Sequence, residues 1–115
     1  GAELIAAHHA LSGTPEIEEL RSLREGALRL EPHAVKLVTT AGVWRDNLTT
    51  LRLVAESRGV VSFCMGRLGL PSRVLAPMAG APFTYASAPG FGETAPGQLD
   101  ARRLREVWAL LGFGG

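Results

Sequence analysis

The sequence predicts an α/β fold, a parallel sheet covered by helices. Three observations carry this expectation. Short, nearly continuous apolar runs recur along the chain, amphipathic segments of helical length separate them, and the order βα repeats four times within 115 residues. Strands that are apolar on both faces belong to sheets buried on both faces, and helical crossovers join parallel neighbours. Four such units match half of a (β/α)8 barrel, which takes about 250 residues. An open four-stranded sheet produces the same order, so periodicity alone leaves both architectures standing.

The elements follow from local pattern. Leu4 to Ala7 reads as a short buried strand. Thr14-Pro15-Glu16 reads as a helix start, with Thr14 as N-cap, proline at the first helical position and acidic residues in the first turn. Ile17, Leu20, Ala27 and Leu28 share one face of that helix, which ends near Leu30. After Pro32 a second strand runs from Ala34 to Thr39. A second helix covers about Trp44 to Ser57, with Leu48, Leu51, Val54 and Ala55 inward and Gly59 behind it.

Val60-Val61-Ser62-Phe63-Cys64-Met65 is the third strand. A short third helix covers about Pro71 to Ala79 and closes at Gly80. Phe83 to Ala86 is the expected fourth strand, followed by a Gly/Pro-rich loop from Ser87 to Gln98 and a last helix from Asp100 to Leu111. No linker or low-complexity tract divides the chain, so residues 1–115 form one domain.

Composition narrows the function classes. A formal net charge of +1 gives no electrostatic reason for a nucleic-acid or anionic-membrane partner. No apolar run approaches the roughly 18 residues needed to span a bilayer. Cys64 is the single cysteine, which rules out an internal disulfide and a thiolate zinc site and fits a reduced, cytoplasmic setting. The basic residues are lopsided, since Lys36 is the one lysine among 12 Lys and Arg residues.

In parallel α/β folds, polar groups at the C-terminal ends of strands are the candidates for chemistry. His8 and His9 follow the first strand, Lys36 lies within the second, Met65 closes the third, and the Thr94 to Gln98 loop follows the fourth. Lys36 sits in the apolar run His33-Ala34-Val35-Lys36-Leu37-Val38. Desolvation there would lower its pKa and favour the nucleophilic amine, a role an always-protonated arginine cannot fill. A lysine on a sheet edge, or one paired to a buried carboxylate, is the plainer reading of the same residue.

His9 suits acid–base work near neutrality, or a hydrogen bond at a strand end. His8 reads as structural and His33 as loop surface. The three histidines lack metal-site spacing, and no metal is expected. Gly90-Phe91-Gly92-Glu93-Thr94-Ala95 matches a dinucleotide-binding string, but Pro96-Gly97 follows at once and no further strand remains to supply the acidic partner. Arg73, near the start of the third helix after Gly66-Arg67-Leu68-Gly69, suits a carboxylate or phosphate ligand, or simply a solvated surface.

Together these residues resemble the type I 3-dehydroquinate dehydratases of the shikimate pathway. The matching pieces are His9 with Thr14-Pro15, Ala34-Val35-Lys36-Leu37-Val38, Met65-Gly66 with Gly69 and Ser72-Arg73, Gly80 with Phe83-Thr84-Tyr85, and Thr94-Ala95-Pro96-Gly97-Gln98. They run in the family's order over essentially the whole chain. The resemblance implies strands five to eight of a TIM (β/α)8 barrel, that is, a (βα)4 half-barrel.

It also implies dehydration of 3-dehydroquinate to 3-dehydroshikimate through a lysine Schiff base, without metal or dissociable cofactor. Lys36 would form the imine and His9 would move the protons. Arg73 would hold the substrate carboxylate, Thr94 and Gln98 would bind substrate oxygens, and Met65 would pack on the ring. Two departures touch the surroundings of the histidine: Ala10 stands where an aspartate commonly follows it, and Ala7 where a serine often lies two residues before it.

The acidic and arginine residues of the family's first four strands have no counterpart here. The chain is therefore expected to be either a fragment of a longer enzyme, homodimeric at full length or paired with its missing N-terminal half, or one of two half-barrels that associate. The abrupt start favours the fragment. A second possibility is a catalytically silent half-barrel serving assembly or binding. A third is another class I aldolase or lyase, which Ser72-Arg73 and Ala95-Pro96-Gly97-Gln98 argue against.

Overall fold

The computed structural model describes residues 4–81 and 101–113. Three strands, β1 (Ile5–His9), β2 (Ala34–Thr40) and β3 (Val60–Met65), form a parallel sheet in the order β1-β2-β3. Helices α1 (Ile17–Leu28) and α2 (Asp46–Ala55) are the crossovers between them. A 3-10 turn (Arg67–Gly69) leads into α3 (Leu70–Leu75), and α4 (Ala101–Leu110) follows later in the chain. The expected fourth strand and its Gly/Pro-rich loop lie outside the described residues.

The register fixes which side chains share a face. Ala7, Lys36 and Val61 form one row across the sheet, and His9, Val38 and Phe63 the next, with Thr40 opposite Met65 beyond them. On this face Val38, Val61 and Phe63 cluster, with Met65 packed against them. The alternate positions Val35, Leu37 and Val60 face the helices and meet Leu20 of α1 and Leu53 of α2. Strand periodicity thus divides β2 into a helix-facing core row and a second row that carries Lys36.

Several local expectations need correction. β1 runs two residues further than expected, so His8 and His9 lie in the strand instead of after it. Thr14 does not cap α1: the N-cap position is Glu16, without a side-chain cap hydrogen bond. The Thr14 hydroxyl instead donates to the carbonyl of Thr40 at 2.9 Å, and Gly13 accepts the Thr40 N–H at 3.1 Å. Residues 13–14 therefore close the end of β2 before the helix begins.

Leu28 is exposed, and half-buried Leu23 packs on the core in its place. In α2 the expected inward face holds in part: Val54 is buried and half-buried Leu51 packs beside it. Leu48 and Ala55 are exposed, whereas Asn47, Thr50, Leu53 and Val54 are buried. Two of those inward positions are polar, and hydrogen bonds make their burial tolerable. α3 is shorter than expected, and turns continue the chain to Gly80.

The crossovers are clamped on the outside by one carboxylate. Glu56 accepts Arg21 in a two-pronged pair at 2.8 and 2.9 Å and Arg24 at 2.8 Å. Those bonds tie α1 to the end of α2 and hold the Glu56 carboxyl down at about 2.

Candidate active site

Lys36 is half-buried on the sheet face opposite the crossover helices. Burial pushes its ammonium below the ordinary lysine range, because leaving water disfavours the charged form. Its neighbours in the row are Ala7 and the fully buried Val61. His9 is registered on Val38, so it stands one strand over and two residues further along. That offset is about 4.8 Å across and about 6.6 Å along the sheet. It is a spacing a long lysine and an imidazole can bridge through a bound molecule. His9 is exposed on β1, which among the described residues is an edge strand. His8 points the other way, into a groove with Leu23 and Ala27 of α1.

Met65 ends β3 on the same face and packs on the Val38–Val61–Phe63 floor. Arg73 is buried, not solvated. Its Nη1 donates to the carbonyl oxygens of Cys64 at 2.8 Å and Gly66 at 3.3 Å, the two residues flanking Met65. Gly66 has φ +85°, the region that favours glycine, and turns the chain sharply there. Gly69 lies so close to the strand that a Cβ would fall 2.2 Å from the Cys64 carbonyl oxygen. The Gly-Arg-Leu-Gly turn is therefore what folds the start of α3 back against the end of β3.

The structure thus gathers Lys36, His9 and Met65 on one face and sets Arg73 at the C-terminal end of β3. Thr94 and Gln98 lie outside the described residues. His33 is exposed, as expected of loop surface, and its Nδ1 accepts the Leu4 N–H at 2.8 Å. Among the described residues no group of three His, Cys, Asp or Glu side chains could hold a metal ion. No helix among them is long and apolar enough to cross a membrane.

Beneath the strand ends, on the helix side, sits a polar layer the sequence did not reveal. The Thr39 hydroxyl donates to Cys64 Sγ at 3.3 Å and lies 2.9 Å from that of Thr14. Thr50 bonds the carbonyl of Asn47 at 3.1 Å. Asp46 accepts the N–H groups of Gly42 and Val43 at 2.8 and 3.2 Å, fixing the loop after β2. Threonines in apolar strands look like ordinary β formers, so only their partners expose this role.

A family model for type I 3-dehydroquinase matches residues 1–113. The chain belongs to the type I 3-dehydroquinase family. It is similar to the 3-dehydroquinate dehydratase of Thermococcus gammatolerans, 40% identical over 108 residues that cover 94% of this chain and 49% of that protein. The crystal structure of 3-dehydroquinate dehydratase from Geobacillus kaustophilus superposes with a TM-score of 0.86 at 26% identity, covering 96% of this chain and 44% of that one. The type I enzyme of Clostridium difficile, solved with covalently modified comenic acid, gives 0.83 at 25%, over 96% and 45% of the two chains. The α/β fold with its parallel sheet is therefore that of type I 3-dehydroquinases. The chain spans about half the length of the curated relatives it matches.

Proposed function

We propose that residues 1–115 are the C-terminal (βα)4 half of a dehydratase barrel, strands five to eight, and that the complete barrel converts 3-dehydroquinate to 3-dehydroshikimate. The observation that carries this reading is Lys36, half-buried in an apolar row with a lowered pKa and sharing its face with His9. In a chain of this family, that pairing fits an imine-forming amine beside a proton carrier.

Neutral Lys36 adds through Nζ to the C3 ketone carbon, and the resulting carbinolamine loses water to give an iminium. The iminium withdraws electrons and acidifies C2, from which His9 takes a proton, leaving an enamine. The enamine expels the C1 hydroxyl, which leaves as water with the proton from His9. A second water then hydrolyses the product iminium, releasing 3-dehydroshikimate and the free amine. The net change is loss of one water.

Arg73 pairs with the substrate carboxylate, Met65 packs on the ring, and Thr94 and Gln98 bind substrate oxygens from the last loop. The chemistry draws on this chain's own amine and needs no metal or dissociable cofactor. The covalent ligand in the Clostridium difficile relative supports covalent reaction within the family.

The exposed edge supports a need for the other half. Leu4 and Leu30 are about half to two-thirds exposed, and a groove of about 420 Å³ runs between β1 and α1 past Ala6, His8, Gly26 and Leu30. A strand and helix from an N-terminal half would cover both. We further propose a cytoplasmic, homodimeric full-length enzyme. The test is borohydride reduction with 3-dehydroquinate, followed by mass spectrometry. An adduct on Lys36 is expected, and its absence in the complete barrel would overturn the imine mechanism.

A further inference from the structure

Three buried polar residues meet at the end of β3. Asn47, Ser72 and Arg73 are 3%, 0% and 4% exposed. The Met65 carbonyl accepts Ala41 N–H on the β2 side. Backbone groups alternate along a strand, so the N–H and C=O of Cys64 point to the opposite edge. There Ser72 Oγ accepts the Cys64 N–H at 2.8 Å, and Arg73 Nη1 takes the Cys64 carbonyl at 2.8 Å. Two consecutive side chains thus engage both backbone groups of Cys64.

The Ser72 hydroxyl donates its own proton to the Gly69 carbonyl at 3.0 Å, which orients its lone pair toward Cys64. Asn47 holds the arrangement from the neighbouring crossover. Its amide Nδ2 donates to the carbonyls of Trp44 at 2.9 Å and Leu68 at 2.7 Å, and its Oδ1 accepts the Ser72 N–H at 3.0 Å. The amide orientation is set by these partners, because two carbonyls need the donor side and an N–H needs the oxygen. The residue preceding Arg73 is therefore gripped through both its backbone and its side chain, and the guanidinium is anchored on either side of Met65.

We propose that Asn47 and Ser72 are positioning residues that aim the Arg73 guanidinium at the substrate carboxylate. This rests on the reading of Arg73 as the carboxylate-binding residue. Loss of either hold lets α3 shift, and small displacements of a charged group are costly for binding.

The test compares Asn47→Ala, Ser72→Ala, Arg73→Ala and a core control, Leu53→Val, in the complete barrel, with thermal unfolding measured for each. Asn47→Ala and Ser72→Ala are expected to raise KM for 3-dehydroquinate about tenfold with kcat within about twofold, as expected for a ground-state binding contact. Borohydride trapping of a carboxylate-free cyclic ketone on Lys36 should not change in either. Leu53→Val, with a comparable loss of Tm, should leave KM unaltered. If KM rises as much in Leu53→Val, or stays constant in the Asn47 and Ser72 variants while Arg73→Ala raises it, the positioning role is wrong and the Arg73 assignment survives. If Arg73→Ala itself leaves KM constant, the carboxylate assignment fails and takes this inference with it. Should Asn47→Ala not fold, Ser72→Ala reads the same hold from its other end.

Discussion

Lys36 and His9 stand on neighbouring parallel strands, with His9 registered on Val38, two residues past Lys36. They project from the same face, and the step between them leaves room for a ring bound to one and deprotonated by the other. The division of labour this suggests is separable. Lys36→Arg should abolish the borohydride-trapped adduct, since a guanidinium stays protonated. His9→Gln should keep a trappable imine while lowering kcat about 10²- to 10⁴-fold, the usual worth of a general acid–base group. Mass spectrometry and steady-state rates read the two outcomes. An adduct persisting in Lys36→Arg would count against Lys36.

The lowered pKa of Lys36 sets a direction for pH. Imine formation should climb with pH and reach half its maximum below the ordinary lysine value of 10.5. The stability sign follows from the same shift. A lysine whose folded pKa is depressed costs the fold most when both states are charged, and the cost fades as pH rises through the folded pKa toward the unfolded one. Lys36→Met should therefore leave the protein at least as stable at pH 7, with the advantage vanishing in alkaline solution. Denaturant melts at several pH values check this.

Glu56 gives the opposite window. Its carboxyl is held near 2 by Arg21 and Arg24, below the ordinary 4.5. Its contribution is present above the unfolded pKa and is lost as pH falls from about 4.5 toward 2. The group is largely solvent-screened, so the expected worth is on the order of 1 kcal/mol. Glu56→Gln should lower stability by that amount at pH 7, with the difference shrinking below about pH 4.5 and vanishing only below about pH 2, as read by chemical denaturation.

Two glycines should respond very differently to a methyl group. At Gly69 a Cβ would lie 2.2 Å from the Cys64 carbonyl oxygen and 2.6 Å from its carbon, both backbone atoms. Gly69→Ala must pry α3 from β3, and a loss of about 3 kcal/mol or more is expected. At Gly42 the nearest atom to a Cβ is 3.8 Å away, on the Asp46 side chain. Gly42→Ala should stay within about 0.5 kcal/mol. Urea unfolding of the two variants distinguishes them.

What the sequence disclosed follows from how each residue is buried. β2 and β3 were plain because none of their positions is exposed, so each carries a run of apolar residues. β1, an edge strand among the described residues, has mostly exposed side chains, and two histidines at its end hide its length. Lys36 stood out because charge in an apolar row needs a reason. Asn47 did not, because a buried amide satisfied by Trp44, Leu68 and Ser72 looks in sequence like any surface asparagine. Beside it, Leu48 drew the expected face of α2 the wrong way. Thr14 likewise imitates a helix cap, while its hydroxyl serves the carbonyl of Thr40, 26 positions away. Arg73 was recognisable as a site candidate, but the anchoring of its Nη1 on two backbone carbonyls depends on a close approach no pattern encodes.

The border position of β1 has a bearing on how tolerant the proposed barrel is to recombination. Lys36 is registered between two strands of its own chain, whereas His9 has a strand of the described residues on one side only. Chimeras joining this segment to first halves from different relatives should therefore preserve amine reactivity and diverge in proton transfer. Amide exchange should follow the same gradient, fast along Ile5–His9 until a matching half is supplied and slow along Ala34–Thr40 throughout. Evolutionary drift at the junction would then be felt first by the imidazole and last by the lysine.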